Sequence, residues 1–274
     1  AATQVGGPVR SPLRDSGPVR VSLSHLWRHP WILGLGGIAV LLLLWLVVSQ
    51  AGLVEPLFLP SPTVVARAGL EQVSDGILLQ DVRASVLRVI AGFGLSALVA
   101  LPLGIAMGSN GVVCRLLEPL LGLLRYMPAP AFIPLLIIYF GLGELPKVLL
   151  IFIGTVFFNT LMIMDAVKFV PSQLLETTLT LGGRRRDLLR RVILPYITPQ
   201  VLDAYRINMA AAWNLVIVAE LVAAESGLGK RITLAQRFLR TDQIFLDLIV
   251  IGLIGLLIDL SFRMLMRRCC RWAN

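Results

Sequence analysis

The sequence predicts an all-α, polytopic membrane protein with six transmembrane helices. Three observations carry that expectation. Mean hydropathy is +0.82, and 57% of the 274 residues are hydrophobic, above the roughly half found in water-soluble domains. The apolar residues gather into stretches close to the roughly 20 residues that cross a bilayer as helix. The formal net charge of +9 sits mostly in tails and loops between those stretches. It therefore reads as membrane orientation rather than nucleic-acid binding.

Residues 1–29 are rich in Pro, Gly, Ser and Arg and hold too little apolar surface for a core, so a disordered cytoplasmic tail is expected. Arg10, Arg14, Arg20 and Arg28 keep that end inside. The first span follows at Trp31–Ser49. Its basic lead and the Ser49-Gln50-Ala51 end resemble a cleavable signal peptide, but the run is longer than a signal core and a retained helix is expected. Ala51–Arg83 carries Glu55, Glu71, Asp75 and Asp81 against Arg67 and Arg83, a balance that suits the outer face. The second span, Ala84–Gly108, ends in Gly104-x-x-x-Gly108, spacing that permits close helix approach.

The third segment, Leu116–Phe140, cannot be one straight helix because Pro128, Pro130 and Pro134 interrupt it. Irregular backbone at membrane depth survives only against protein or a water-lined cavity, so this break marks the candidate translocation path. Arg125 stands just before it, where a cation could meet an anionic solute or pair structurally. The fourth span is Val148–Val167 and the fifth Thr198–Ala223, which supplies Trp213, Asn214 and Glu220 as further path candidates. Trp213 could equally pack in the core. A polar loop, Glu225–Asp242, leads to the sixth span, Gln243–Leu265. Arg263, Arg267, Arg268 and Arg271 close the chain inside, so both termini are expected to be cytoplasmic. The transmembrane domain thus covers residues 30–268, with a short cytoplasmic tail at 269–274.

Arg88, Arg125, Asp165, Arg206, Glu220, Asp247 and Asp259 fall in or near apolar spans and should face the bundle interior, a cavity or a partner. For Arg88, Asp165, Asp247 and Asp259 a span-end position or a structural pairing is expected. Catalysis within the membrane can be tested by elimination, and no enzyme activity is expected of this chain on its own. The two histidines, His25 and His29, precede the first span, so neither a Ser–His dyad nor an HExxH zinc site can form at membrane depth. No G-x-x-x-x-G-K-[ST] loop occurs, so any ATP that drives the protein is hydrolysed on another chain. Cys114, Cys269 and Cys270 lack metal-ligand spacing and suggest reduced, cytoplasmic-side positions.

One polar, basic insert stands out, Pro171–Pro195, PSQLLETTLTLGGRRRDLLRRVILP. Pro171 can open a helix, Leu174, Leu175, Leu179 and Leu181 supply an apolar stripe, and Gly182-Gly183 turns the chain. Arg184–Leu194 reads as a second, basic helix, with Pro195 at its junction to the fifth span. Glu176-Thr177-Thr178, then Gly182, then Val192, Leu194 and Pro195 resemble the "EAA…G…I.LP" loop of ATP-binding-cassette importer permeases, with Thr177 and Thr178 standing where the pattern has alanines. Pro56–Val65, Arg206–Glu220 and Ser226–Ile232 resemble the nitrate/sulfonate/taurine branch of those permeases.

That resemblance implies a type I ABC importer permease fold in a bacterial inner membrane. It implies a second permease subunit as a homodimer mate, two cytoplasmic ATPases carrying ATP and Mg, and a periplasmic or lipid-anchored solute-binding protein. No cofactor is expected on this chain, and no nucleic acid. Glu176, Thr177, Thr178, Gly182, Arg184, Leu194 and Pro195 would couple to the ATPase, and alternating access would move a small anion of the sulfonate, taurine, nitrate or bicarbonate type. Lys230, Arg231, Arg237 and Arg240 lie in a loop that this topology places outside, where the positive-inside rule disfavours them. They would attract an anion or contact an acidic binding protein. A gradient-driven secondary transporter and a non-transporting membrane scaffold are the rivals, and the spacing of the insert argues against both.

Overall fold

A computed structural model describes residues 30–273, and the tail expected at 1–29 lies outside the described residues. Among the described residues the chain runs through eleven α-helices. In order they are α1 (Pro30–Gln50), α2 (Pro62–Ser74), α3 (Ile77–Ser109), α4 (Gly111–Leu124), α5 (Ile133–Phe140), α6 (Glu144–Lys168), α7 (Ser172–Thr180), α8 (Arg185–Asp187), α9 (Leu194–Ala223), α10 (Leu228–Arg237) and α11 (Thr241–Cys269). A 3-10 turn, Ala129–Phe132, precedes α5, and a π-helical turn, Leu188–Ile193, runs directly into α9.

The expected spans map onto α1, α3, the α4–α5 pair, α6, α9 and α11. Three of these helices, α3, α6 and α11, are each long and apolar enough to cross a membrane, and α4 with Ala129–Phe140 makes a fourth span bent by 84°. The bend sits where the prolines predicted it. Arg125, Tyr126 and Met127 still bond back to the last turn of α4, and Pro128 then leaves in an extended conformation. α9 is the more polar candidate, with Asp203, Arg206 and Glu220 along it. Large apolar side chains cover the outside: Leu41, Leu43 and Leu44 on α1 are 59–69% exposed, and Leu253, Leu256 and Leu257 on α11 are 52–61% exposed. In water such a continuous apolar surface would drive association; in hydrocarbon it costs nothing.

Three corrections to the expected boundaries have physical causes. α3 starts at Ile77, not Ala84, because Gly76 at φ 70° turns the chain sharply out of α2. The expected polar loop at Glu225–Asp242 contains α10, whose Leu228 and Ala235 are buried. The second basic helix expected at Arg184–Leu194 is one α-turn followed by a π-turn. Pro195 therefore lies in the first turn of α9, where a missing N–H breaks nothing.

The centre of the bundle is α3 packed along α6, with α9 across both. The contact is close because α3 carries glycines on that face. A Cβ on Gly92 would stand 2.7 Å from Ile151 Cβ, one on Gly104 2.7 Å from Ile163 Cβ, and one on Gly108 2.5 Å from Val167 Cβ. The Gly104-x-x-x-Gly108 pattern thus marks a true backbone approach. Between the three helices runs a buried polar chain: Asn208 Nδ2 donates to Asn159 Oδ1 (2.8 Å), and Asn159 Nδ2 to Ser96 Oγ (3.0 Å).

Candidate functional site

α9 is 30 residues long, about 45 Å at 1.5 Å per residue, and a polar assembly stands at each of its ends. At its N-terminal end is the insert. α7 is a helix of nine residues with none buried. Leu174, Leu179 and Leu181 are 44%, 51% and 82% exposed, while Leu175 packs, half-buried, against the core around Val167 and Ile197, so most of the leucine stripe stands free. Glu176 and Thr177 are exposed beside a concavity of about 390 Å³ that they share with Gln173, Thr180 and Leu181.

The turn that ends α7 is a Schellman motif. Gly182 N–H donates to Leu179 O and Gly183 N–H to Thr178 O, both at 2.9 Å. Gly182 holds φ +81°, the left-handed region that side chains resist. Gly183 lies so close that a Cβ would meet Thr178 O at 2.7 Å and Thr178 Cγ2 at 2.8 Å. This explains how Thr178 fits where alanine was expected: its hydroxyl donates back to Leu174 O (2.8 Å) and its methyl packs on the turn. Arg184 N–H then donates to Asp187 Oδ2 (3.0 Å), opening the short α8. Arg184 is exposed, Leu194 half-buried and Pro195 exposed.

At the other end of α9, an ion network ties α3, α6 and α9 to the segment entering α10. Arg88, 4% exposed, donates through Nε and Nη2 to the two carboxylate oxygens of Glu144 (2.5 and 2.7 Å). Its Nη1 donates to Glu220 Oε1 (2.6 Å) and to Ser226 O (2.7 Å). Glu220, with its side chain fully buried, also accepts from Ser85 Oγ and from Gly229 N–H. Backbone N–H groups of Gly227 and Leu228 donate to Asp81 Oδ1 (2.8 Å) and Ser85 Oγ (3.1 Å). The loop can wrap this tightly because Gly227 has φ +120° and a Cβ there would lie 2.4 Å from Glu220 Cδ. Three consecutive N–H groups are thereby aimed at three buried side chains.

The expected path residues separate. Trp213, proposed beside the path, is 4% exposed and donates its Nε1–H to Ile251 O (3.1 Å), a core position. Asn214, Pro128, Pro130 and Arg125 are exposed. Arg125 Nη2 reaches only Tyr126 OH (3.2 Å), and its guanidinium lies 5.0 Å from that ring. Ala129 and Leu215 both press on Gly154, which seats the proline break against α6 and α9. Glu220 serves the ion network rather than an open lumen.

The four cations between α9 and α11 separate too. Arg231 is paired with Asp81 at 2.8 Å, and Arg240 lies 3.4 Å from Asp242. Lys230, whose Nζ donates to Glu225 O, and Arg237 line a cavity of about 500 Å³ with Glu144, Lys147, Glu220 and Thr233. Of the structural pairings expected, Arg88 makes one, and Asp259 binds Arg206 (3.1 Å) and Arg263 (2.7 Å). Asp165 is exposed, while Asp247 is fully buried with no partner for either oxygen. Among the described residues no group of three or more His, Cys, Asp or Glu side chains could hold a metal ion.

Sequence reasoning missed Ser85, Glu144, Lys147 and Ser226. One signal could have found Glu144. A buried arginine in a span demands acidic partners, and Glu144 opens the span that follows the proline break.

Residues 100–271 match the family described as binding-protein-dependent transport system inner membrane component. The chain belongs to that family. The permease is 36% identical over 255 residues to the taurine transport system permease protein TauC of Escherichia coli (strain K12), covering 90% of this chain and 93% of that one. It is 32% identical over 247 residues to the putative aliphatic sulfonates transport permease protein SsuC of Bacillus subtilis (strain 168), covering 90% of each. Its fold resembles the inward-facing MetNI methionine ABC transporter, with a TM-score of 0.63 at 18% identity, over 70% of this chain and 96% of that one. The permease is thus a multi-pass membrane subunit of a binding-protein-dependent transport system.

Proposed function

We propose that this permease moves a small organic sulfonate, with taurine or an alkanesulfonate as the class, by ATP-driven alternating access. It works as a homodimer of six-span subunits in a bacterial inner membrane with both termini cytoplasmic. Two ATPases bind ATP and Mg on the cytoplasmic side, and a solute-binding protein delivers solute outside. The sulfonate class rests on the taurine and sulfonate permeases to which the chain is similar.

The observation that carries the reading is α7: a helix with no buried residue, an exposed leucine stripe and a glycine-locked end. An amphipathic helix of this kind docks in a groove on a partner. Rigid α3–α6–α9 packing would carry its displacement about 45 Å to the ion network at the far end. Arg125, Pro128, Pro130 and Asn214 would border the path where two subunits meet.

The test is purification from native membranes of the wild type and of Leu179→Asp with Leu181→Asp. Burying a leucine stabilises by about 1.5–3 kcal/mol, so the double variant should hold its ATPase at least about tenfold more weakly and lose ATP-driven uptake of labelled taurine or ethanesulfonate. A wild-type chain that purifies without any ATPase, or takes up solute on an ion gradient alone, would overturn the reading.

A further inference from the structure

The cavity beside α10 is lined by more charge than the ion network consumes. Its acids are Glu144, Glu220 and Glu225, and its cations are Lys147, Lys230 and Arg237. Glu144 and Glu220 are spent: Arg88 bridges them from behind the wall, and Lys147, 3% exposed, holds Glu144 at 2.9 Å. With Arg88 counted, the cations outnumber the acids by one. Lys230 gives its ammonium a neutral carbonyl, Glu225 O, and makes no ion pair among the described residues. Arg237 has no ion-pair partner among the described residues.

Lys230, Thr233 and Arg237 stand at i, i+3 and i+7, which places them on one face of α10. All three line the cavity, with Leu234 beside them. Thr233 Oγ1 donates to Gly229 O (3.2 Å), fixing its rotamer. By contrast, Arg231 and Arg240 point their charges at Asp81 and Asp242 and take no part. The face is also rigidly presented, because Gly227, Leu228 and Gly229 anchor the start of α10 to buried Asp81, Ser85 and Glu220.

We infer that Lys230 and Arg237 form an oxyanion subsite in this cavity that takes the sulfonate group of the solute at the outer mouth of the permease. This rests on the importer reading above and adds to it a place and a ligand chemistry. Two cations aimed into one concavity suit a tetrahedral oxyanion, since charge-assisted hydrogen bonds to it are the strong kind. A volume of about 500 Å³ lies within the range of small-molecule pockets, roughly 300–1,000 Å³. Leu142, Leu221, Val222 and Leu234 supply apolar wall for a short alkyl chain.

The experiment uses the purified permease–ATPase complex in nanodiscs, without the solute-binding protein. Ethanesulfonate is the probe, read by saturation-transfer NMR, with ethanol as the uncharged control. The wild type should give a saturable signal with ethanesulfonate and none with ethanol. Lys230→Gln with Arg237→Gln should weaken it at least about tenfold, the loss expected from removing charge-assisted bonds. Arg240→Gln should leave it unchanged, and an unaltered melting curve of the double variant shows that the fold persists.

A wild type that imports sulfonate yet shows no saturable signal, or a double variant that binds like wild type, overturns the subsite alone. Loss of solute-binding-protein capture with ethanesulfonate binding intact also overturns it, assigning the face to protein docking. A wild type that imports no sulfonate at all overturns the importer reading beneath it.

Discussion

Replacing Arg88 by methionine should loosen the α10 end of the bundle more than any change at its rim. Arg88 is 4% exposed and the Glu220 side chain is fully buried, 2.6 Å from it. At that separation and an effective dielectric constant of about 20, the pair attracts by about 6 kcal/mol, much of which offsets the cost of taking both ions out of water. Removing the cation alone leaves Glu220 charged in the interior with only Ser85 Oγ and Gly229 N–H as donors, at a cost of about 3–5 kcal/mol. Glu144 differs: its side chain is 62% exposed, and Arg88 keeps Glu220 when it is lost, so Glu144→Gln should cost less than Arg88→Met. Removing both buried charges, Arg88→Met with Glu220→Gln, should recover most of the loss.

Thermal unfolding of the complex in nanodiscs, followed by tryptophan fluorescence, reads the order directly, and Trp213 lies in the adjoining core. The midpoints should fall from wild type through Glu144→Gln and the double variant to Arg88→Met. An Arg88→Met variant that melts with Glu144→Gln would refute the reasoning. So would a double variant less stable than the single, because the two changes would then be independent rather than coupled.

Two further predictions concern packing and burial. Gly108→Leu should lower the unfolding midpoint strongly and abolish uptake, because even a Cβ there meets Val167 Cβ at 2.5 Å and Met164 O at 2.8 Å; Gly94→Leu, with nothing within 4 Å, serves as the control that should remain near wild type. Asp247→Asn should raise the midpoint or leave it unchanged, since both carboxylate oxygens are buried without a partner and an uncharged amide is cheaper there. A fall in the Asp247→Asn midpoint equivalent to more than about 1 kcal/mol would show that the carboxylate has a partner in the working protein.

What could be read from the sequence was whatever depends on residues near each other along the chain. The proline break after Arg125, and the helix, leucine stripe and Gly182-Gly183 turn of the insert are all local and lie where they were expected, as do the apolar runs apart from shifted ends such as the start of α3. Hydrocarbon length, missing N–H groups and positive φ are properties of short segments, so no partner is needed to infer them. The Gly104–Gly108 spacing was legible as a pattern but said nothing about its neighbour. Only the packed bundle shows that α6 fills it.

The ion network could not be read in full, because Arg88 meets Glu144 and Glu220 across 56 and 132 residues. A buried arginine calls for acids, but nothing in the sequence says that Glu220 is paired while Asp247 ends up buried and unpaired. The four loop cations looked equivalent for the same reason. Helix α10 carries all of them but Arg240, and its rotation decided that Arg231 pairs with Asp81 while Lys230 and Arg237 face the cavity. Composition determined that this chain lives in a membrane, and one short motif pointed to its family. Which charges are spent on structure and which are left for a solute was decided by tertiary packing, since only the third dimension brings a cation within bonding distance of an acid.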